Sequence, residues 1–169
     1  MNPEIPAGER CFVDTNILLY HLTANQPYTA IAEKFFRRVA AGEIQAYTSS
    51  IVLSEVLHKL MLAEVAAGFP AATRPLRYVQ KHPHVIGQLL VFPHAAGKLA
   101  KIGLTLLPVT LADWDSAAKL AVAHSLFTND ACIVALMQAH EIKRLVTNDQ
   151  DFLDVPGIII HKPRKLIGA

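Results

Sequence analysis

The chain has 169 residues, of which 52% are hydrophobic and only 18% charged. That length suits one domain with a full buried core, and that composition excludes wholesale disorder. Lys and Arg number 16 against 14 acids, and a net charge of +2 announces no nucleic-acid partner by itself.

The start, Met1-Asn2-Pro3-Glu4-Ile5-Pro6, has no apolar run behind a basic end, so a signal peptide is not expected. No stretch of about 18 uncharged apolar residues occurs, so no spanning helix and no membrane are expected. Cys11 and Cys132 both lie in apolar runs and read as buried free thiols of a cytoplasmic protein, not as a disulfide framework.

Cys11-Phe12-Val13 reads as a short buried strand ending at Asp14-Thr15-Asn16. Residues 17–22 continue into a helical turn, which Asn25-Gln26-Pro27 breaks. Residues 29–41 are helical, with Ile31, Phe35 and Val39 on one face and Gly42 as the stop. Residues 44–48 form a second strand. Ser49-Ser50 offers a cap for a long helix over 51–67, ended by Gly68 and Pro70. Residues 71–101 predict one or two further helices, broken at His82-Pro83 and Phe92-Pro93. Residues 104–107 are a strand, and Thr110 or Asp113 starts a helix to about Ser125. Thr128 or Asn129 caps the next helix, through His140, and residues 144–147 and 157–161 are the last strands. Strands alternating with helices predict one α/β domain over residues 1–169 with a mainly parallel sheet. Its site lies beyond the carboxyl ends of the strands, where Asp14 and Asp149 fall.

Charge is segregated. Between Glu64 and Asp113 there is no acid, while Arg74, Arg77, Lys81, Lys98, Lys101, His82, His84 and His94 fall there. Lys162-Pro163-Arg164-Lys165 forms a second basic cluster. Such a stretch can follow a phosphate backbone or simply be a solvated helical face.

Four acids stand out. Asp14 directly follows the first strand and would serve equally to cap the following turn. Asp130 opens a helix, where a negative charge is favourable, but Ile133, Val134 and Met137 share its face, so it aims inward and needs a partner. Glu55 has Lys59 four residues on for an ordinary surface pair, yet Ile51 and Val52 put it at the edge of the core. Asp149 could cap a short helix. Gathered in one cleft, such carboxylates repel by about 4 kcal/mol per pair at 4 Å and an effective dielectric of ~20. A hard divalent cation, Mg²⁺ or Mn²⁺, relieves that repulsion and can activate water against a phosphodiester. His82-Pro83-His84 lacks zinc spacing and is expected to be loop.

The series Phe12-Val13-Asp14-Thr15-Asn16, Ser54-Glu55-Val56, Thr128-Asn129-Asp130-Ala131 and Leu145-Val146-Thr147-Asn148-Asp149-Gln150-Asp151-Phe152 resembles the PIN domain family. It is most similar to the VapC-type toxin ribonucleases of prokaryotic toxin–antitoxin pairs, over roughly residues 11–161. The resemblance implies a three-layer α/β/α sandwich around a mainly parallel sheet. It implies an acidic quartet at Asp14, Glu55, Asp130 and Asp149, with small polar helpers at Thr15 or Asn16 and at Thr147. The chain departs from it in a helical extension at about 69–103, expected as an arm beside the cleft.

The expected function is a Mg²⁺- or Mn²⁺-dependent endoribonuclease. Asp14, Asp130 and Asp149 would hold the metal, with Glu55 at a second metal or orienting water. Thr147 would fix carboxylate geometry, and Arg74, Arg77, Lys81 and the C-terminal basic cluster would contact RNA phosphates. A toxin further implies a homodimer and a small antitoxin. The rivals are a haloacid-dehalogenase-like phosphatase, an RNA-processing nuclease and a non-catalytic binding module. Asn16 argues against the phosphatase, which needs an Asp there.

Overall fold

A strand buried on both faces needs an apolar side chain at every position, and Cys11, Phe12 and Val13 supply them. In the computed structural model, which describes residues 5–24 and 27–163, these three lie in β1 (Arg10–Val13) with no exposed surface. β2 (Gln45–Ser49), β3 (Thr105–Leu107), β4 (Arg144–Val146) and β5 (Ile159–His161) complete a five-stranded sheet in the order β3-β2-β1-β4-β5. Every pairing is parallel. The chain fills one side of β1 with β2 and β3, then crosses to the other for β4 and β5. That switch falls between β1 and β4, where Val13 pairs with Val146. In open parallel sheets a crevice opens at such a point, beyond the carboxyl ends.

Helices flank the sheet in the expected α/β/α arrangement. α1 (Thr15–Leu22) packs against α2 (Tyr28–Ala40) and α3 (Ser50–Gly68). α4 (Pro75–Lys81) and α5 (Ala95–Ala100) belong to the extension, and α6 (Leu111–His124) packs against α7 (Thr128–Ala139). In α7 the seven residues from Ala131 to Met137 are all buried, the mark of a core helix rather than of one with a single apolar face.

Local signals set most boundaries. Ser49 caps α3 by accepting from the Val52 N–H at 3.3 Å. Of the two candidates for α6, Thr110 is the cap and Asp113 completes a reciprocal capping box. Gly42, at φ +73°, follows the end of α2 in the left-handed conformation that lacks a Cβ penalty. The expectation for α7 was wrong: Phe127 occupies the cap position without a side-chain bond, and neither Thr128 nor Asn129 caps the helix. The Asn129 amide reaches across to Glu55 instead, at a long 3.5 Å.

The extension is helical, and its prolines work as predicted. Pro75 and Pro83 open α4 and a 3₁₀ stretch (Pro83–Gln88), while Pro93 sits within a 3₁₀ turn (Phe92–His94) just before α5. His82-Pro83-His84 thus enters a 3₁₀ stretch rather than an open loop. Val79, Val85 and Leu89 need a surface to bury against, and Val65 with Ala72 provides it in a cluster separate from the main core. That anchor lies ten residues beyond Glu55, about 15 Å along the helix axis, so the extension is held on the far half of α3 rather than at the carboxylates. α5 then returns Leu99 to the main core.

Residues 1–4, Asn25 and Gln26 of the predicted break, and Arg164 and Lys165 of the C-terminal cluster lie outside the described residues. Among the described residues no single helix is long and apolar enough to cross a membrane. Cys11 and Cys132 are buried and free.

Candidate active site

The β1–β4 register decides the site. With Val13 beside Val146, the next residues on the two strands, Asp14 and Thr147, become neighbours beyond the sheet edge. The Thr147 hydroxyl donates to Asp14 Oδ2 at 2.7 Å, and the Thr15 N–H donates to Oδ1 at 2.6 Å. Asp14 is therefore both the cap of α1 and part of a buried network. The Asn16 carboxamide ties that network together. Its Nδ2 donates to Asp14 Oδ2 (2.7 Å) and Thr147 Oγ1 (3.0 Å), and its Oδ1 accepts from the Asn148 N–H (3.0 Å). Thr147 Oγ1 also accepts from the Asp149 N–H at 2.9 Å, which fixes where the Asp149 side chain begins. Asp149 Oδ1 accepts from the Asp151 N–H at 3.0 Å and opens a turn, not a helix.

Glu55 and Asp130 approach from the helices. Glu55, in the second turn of α3, pairs with Lys59 at 2.6 Å, so the ordinary surface pair exists. Its charge nevertheless reaches Asp14 and Asp130. Asp130 is half-buried at the start of α7, and no donor bonds to it among the described residues. Burial, and then the charges of Asp14, Asp149, Asp151 and Glu55, push its carboxyl up to about 7. Burial also raises Asp14, against the lowering bonds from Thr147 and Thr15, and Glu55 and Asp149 add to the rise. The Thr15 hydroxyl is buried without a partner among the described residues.

Glu55 and Asp149 thus bear on both Asp14 and Asp130. Arg74, Arg77 and Lys81 do not join them: all three are exposed on or beside α4, on the far half of α3. The sequence reading missed Asn129, Asn148, Gln150, Asp151 and Tyr20. Tyr20 accepts from Asn148 Nδ2 at 3.1 Å, and its ring stacks on Tyr28 at 4.6 Å. One signal was available: Thr147-Asn148-Asp149 follows β4 as Asp14-Thr15-Asn16 follows β1, and neighbouring strand ends bring such polar triplets together.

The donor set fits a hard divalent cation. It is all oxygen and strongly negative, and Asp130 is a half-buried carboxylate without a donor among the described residues. No three His, Cys, Asp or Glu side chains among the described residues form a ready-made ligand cage. Mg²⁺ does not require one, because it keeps several waters and takes one or two carboxylates.

An all-parallel α/β/α sheet with acidic side chains at its switch point defines a class of small strand-end sites. The match is more specific than that: the PIN domain family model fits residues 11–158, and the chain belongs to that family. VapC ribonuclease Mb1869c of Mycobacterium bovis and ribonuclease VapC13 of Mycobacterium tuberculosis are each 26% identical to it over 147 residues, spanning 86% of this chain and 95% of theirs. Among solved structures, the sarcin–ricin loop cleaving toxin VapC20 of Mycobacterium tuberculosis has a TM-score of 0.58 at 20% identity, covering 86% of this chain and 95% of its own. VapBC2 of Rickettsia felis, bound to a DNA fragment from its promoter, has a TM-score of 0.55 at 16% identity, covering 90% and 98%. These two structures share the fold.

Proposed function

We infer that this PIN domain is a Mg²⁺- or Mn²⁺-dependent endoribonuclease of the cytoplasm, acting as the toxin of a toxin–antitoxin pair. The observation that carries the chemistry is Asp130: a half-buried carboxyl pushed up to about 7, without a donor, in the field of Asp14, Asp149 and Glu55. The toxin assignment is supported by relatives named VapC ribonucleases that align over nearly their whole length. An RNA substrate, a homodimer and a small antitoxin whose tail blocks the cleft belong to the same reading.

Asp14, Asp130 and Asp149 are the metal-holding residues, directly or through water, with Glu55 at a second metal or orienting the attacking water. A divalent ion in such a site lowers the pKa of water and offsets charge developing on the phosphodiester. The protein's own part is placement. Thr147, Asn16 and the Thr15 N–H hold the Asp14 carboxylate in one orientation, so its oxygens need no reorganisation. Asp130 serves as a ligand only when unprotonated, so its hold on a cation strengthens as pH rises through about 7. Arg74, Arg77 and Lys81 are outlying phosphate contacts, exposed and without ion pairs among the described residues.

The test compares wild type with Asp14→Asn on a labelled mixed RNA pool with Mg²⁺, Mn²⁺ or EDTA. Metal-dependent cleavage lost in the variant is the expected result. No cleavage by pure wild type with either metal overturns the reading, and equal cleavage by both proteins removes the quartet from it. Growth arrest on expression of the chain alone separates a toxin from a processing nuclease.

A further inference from the structure

Beside the carboxylates lies an open depression of about 310 Å³, lined by Asn16, Tyr20, Asn148, Asp149 and Gln150. That is the small end of ligand-sized pockets. Asp149 belongs to both the depression and the acidic quartet, so a group that fills the one lies next to a group that meets the other. No cationic side chain lines it, which makes it a poor phosphate site. Its remaining walls are a planar phenol ring and three carboxamides.

Those carboxamides divide into wall and reader. Asn16 is spent, with Nδ2 on Asp14 and Thr147 and Oδ1 on the Asn148 N–H. Asn148 is half spent: its Nδ2 donates to the Tyr20 hydroxyl, which leaves Oδ1 without a partner among the described residues. The Tyr20 hydroxyl accepts that bond and donates its own proton to no described group. The exposed Gln150 carboxamide has no partner among the described residues. Stacking on Tyr28 at 4.6 Å and 15° holds the Tyr20 ring in place. The depression therefore offers one fixed acceptor, one fixed donor and one adaptable amide around a fixed aromatic ring. Nucleobases are recognised by such groups when unstacked from single strands.

We propose that this depression is a nucleobase subsite, which holds the base flanking the scissile phosphodiester and reads its edge through Asn148, Gln150 and the Tyr20 hydroxyl. The inference deepens the ribonuclease reading and rests on it for the role of the base. Its substrate class is single-stranded or loop RNA with a preferred base at one position beside the cut.

Two measurements separate the subsite from the nuclease. In the first, adenosine, guanosine, cytidine, uridine and ribose 5-phosphate are titrated into ¹⁵N-labelled protein in EDTA. Shifts of the Gln150 side-chain amide with at least one nucleoside, and not with ribose 5-phosphate, are expected. Equal shifts with ribose 5-phosphate, or no shift with any nucleoside at millimolar concentration, overturn the proposal. In the second, wild type, Gln150→Ala and Tyr20→Phe cleave an RNA library randomised around the cut. Each variant is expected to lose about three- to tenfold of the base preference at one position. Equal loss on every RNA, with preference intact, assigns these residues a structural role and overturns the proposal. Absence of wild-type cleavage overturns the ribonuclease reading, and the nucleoside titration still decides the subsite.

Discussion

Asp130 in the strand-end cleft and Glu64 beneath the extension are both half-buried acids on helices, yet their proton affinities move in opposite directions. Burial raises both. At Asp130 the charges of Asp14, Asp149, Asp151 and Glu55 add to burial, and together they raise it to about 7. Around Glu64 the chain supplies three backbone donors, the N–H groups of Leu90, Val91 and Phe92 at 2.5, 2.9 and 2.8 Å. Together they overcome burial and hold Glu64 below the usual range. The extension is thus pinned by one acid of α3, whereas the cleft keeps a negative field that no bonded donor relieves at Asp130 among the described residues. Unpaired charge of that kind is costly to folding and is the hallmark of a site built for something absent from the chain itself.

The largest effect expected is on chemistry. Asp130→Asn removes one charge of the quartet at almost constant shape, and RNA cleavage should fall by more than about 100-fold, beyond the usual loss for an outer-sphere partner. Retained cleavage would break the contrast, because Asp130 would then be only a misplaced core acid. Folding should move the other way. In the folded chain Asp130 binds its proton more tightly than in the unfolded chain, so its contribution to stability is present below the ordinary carboxylate pKa of 3.8. It is lost as pH rises from there through about 7. In EDTA, wild type should therefore lose Tm across that window relative to Asp130→Asn, with the two converging at the acid end. Thermal unfolding at four or five pH values measures it.

Glu64→Ala comes next. It leaves three N–H groups at the start of a 3₁₀ turn without their acceptor, at a cost of about 0.5–1.5 kcal/mol, since water can reach the two that lie at the surface. The loss should be local to the extension, because that cluster is separate from the main core. Hydrogen exchange at Leu90, Val91 and Phe92 should accelerate, while cleavage of short RNAs stays at the wild-type rate. The sign of the pH effect is opposite to that of Asp130. Glu64 stabilises above the ordinary carboxylate pKa and loses that contribution as pH falls through its lowered folded value. Protection of these three amides should weaken in acid. A drop in activity equal to the drop in stability would show that the two regions act as one unit.

The sequence reading reached the strand-end acids because their logic is local. An apolar triplet running straight into Asp14 needs only a strand to place the carboxylate, and Ser49 and Thr110 announce their helices within three residues. Asn16 and Thr147 were expected as helpers from the resemblance, but the bonds that join such residues depend on partners far along the chain. Asn16 and Thr147 are 131 residues apart, and they meet only because β4 crosses to the free side of β1. The Tyr20–Asn148 bond has the same origin. Asn129 was expected to cap α7 because its type favours caps, but a carboxylate on another helix engages its amide. The extension shows the same limit from the other side. Its basic residues, breaks and helices could be read from the sequence, but apolar packing on Val65 decides which end of α3 carries it.

The smallest effect bears on the residue with two readings. Lys59 lies 2.6 Å from Glu55 and is half-exposed, and such a pair contributes about 0.3–0.5 kcal/mol in water. Lys59→Met should accordingly change Tm little at pH 5, where Asp130 is protonated and the quartet carries less charge. Above pH 7 the loss should grow, since Glu55 then retains only the long contact from Asn129 and its full charge bears on Asp14 and Asp130. The pH at which stability declines should move upward, because added negative charge binds the Asp130 proton more tightly. Superimposed curves for wild type and Lys59→Met at every pH would mean that Glu55 is screened from the cleft and belongs to the surface of α3. Divergence confined to alkaline pH would place it electrically inside the quartet while its ion pair remains worth almost nothing to folding.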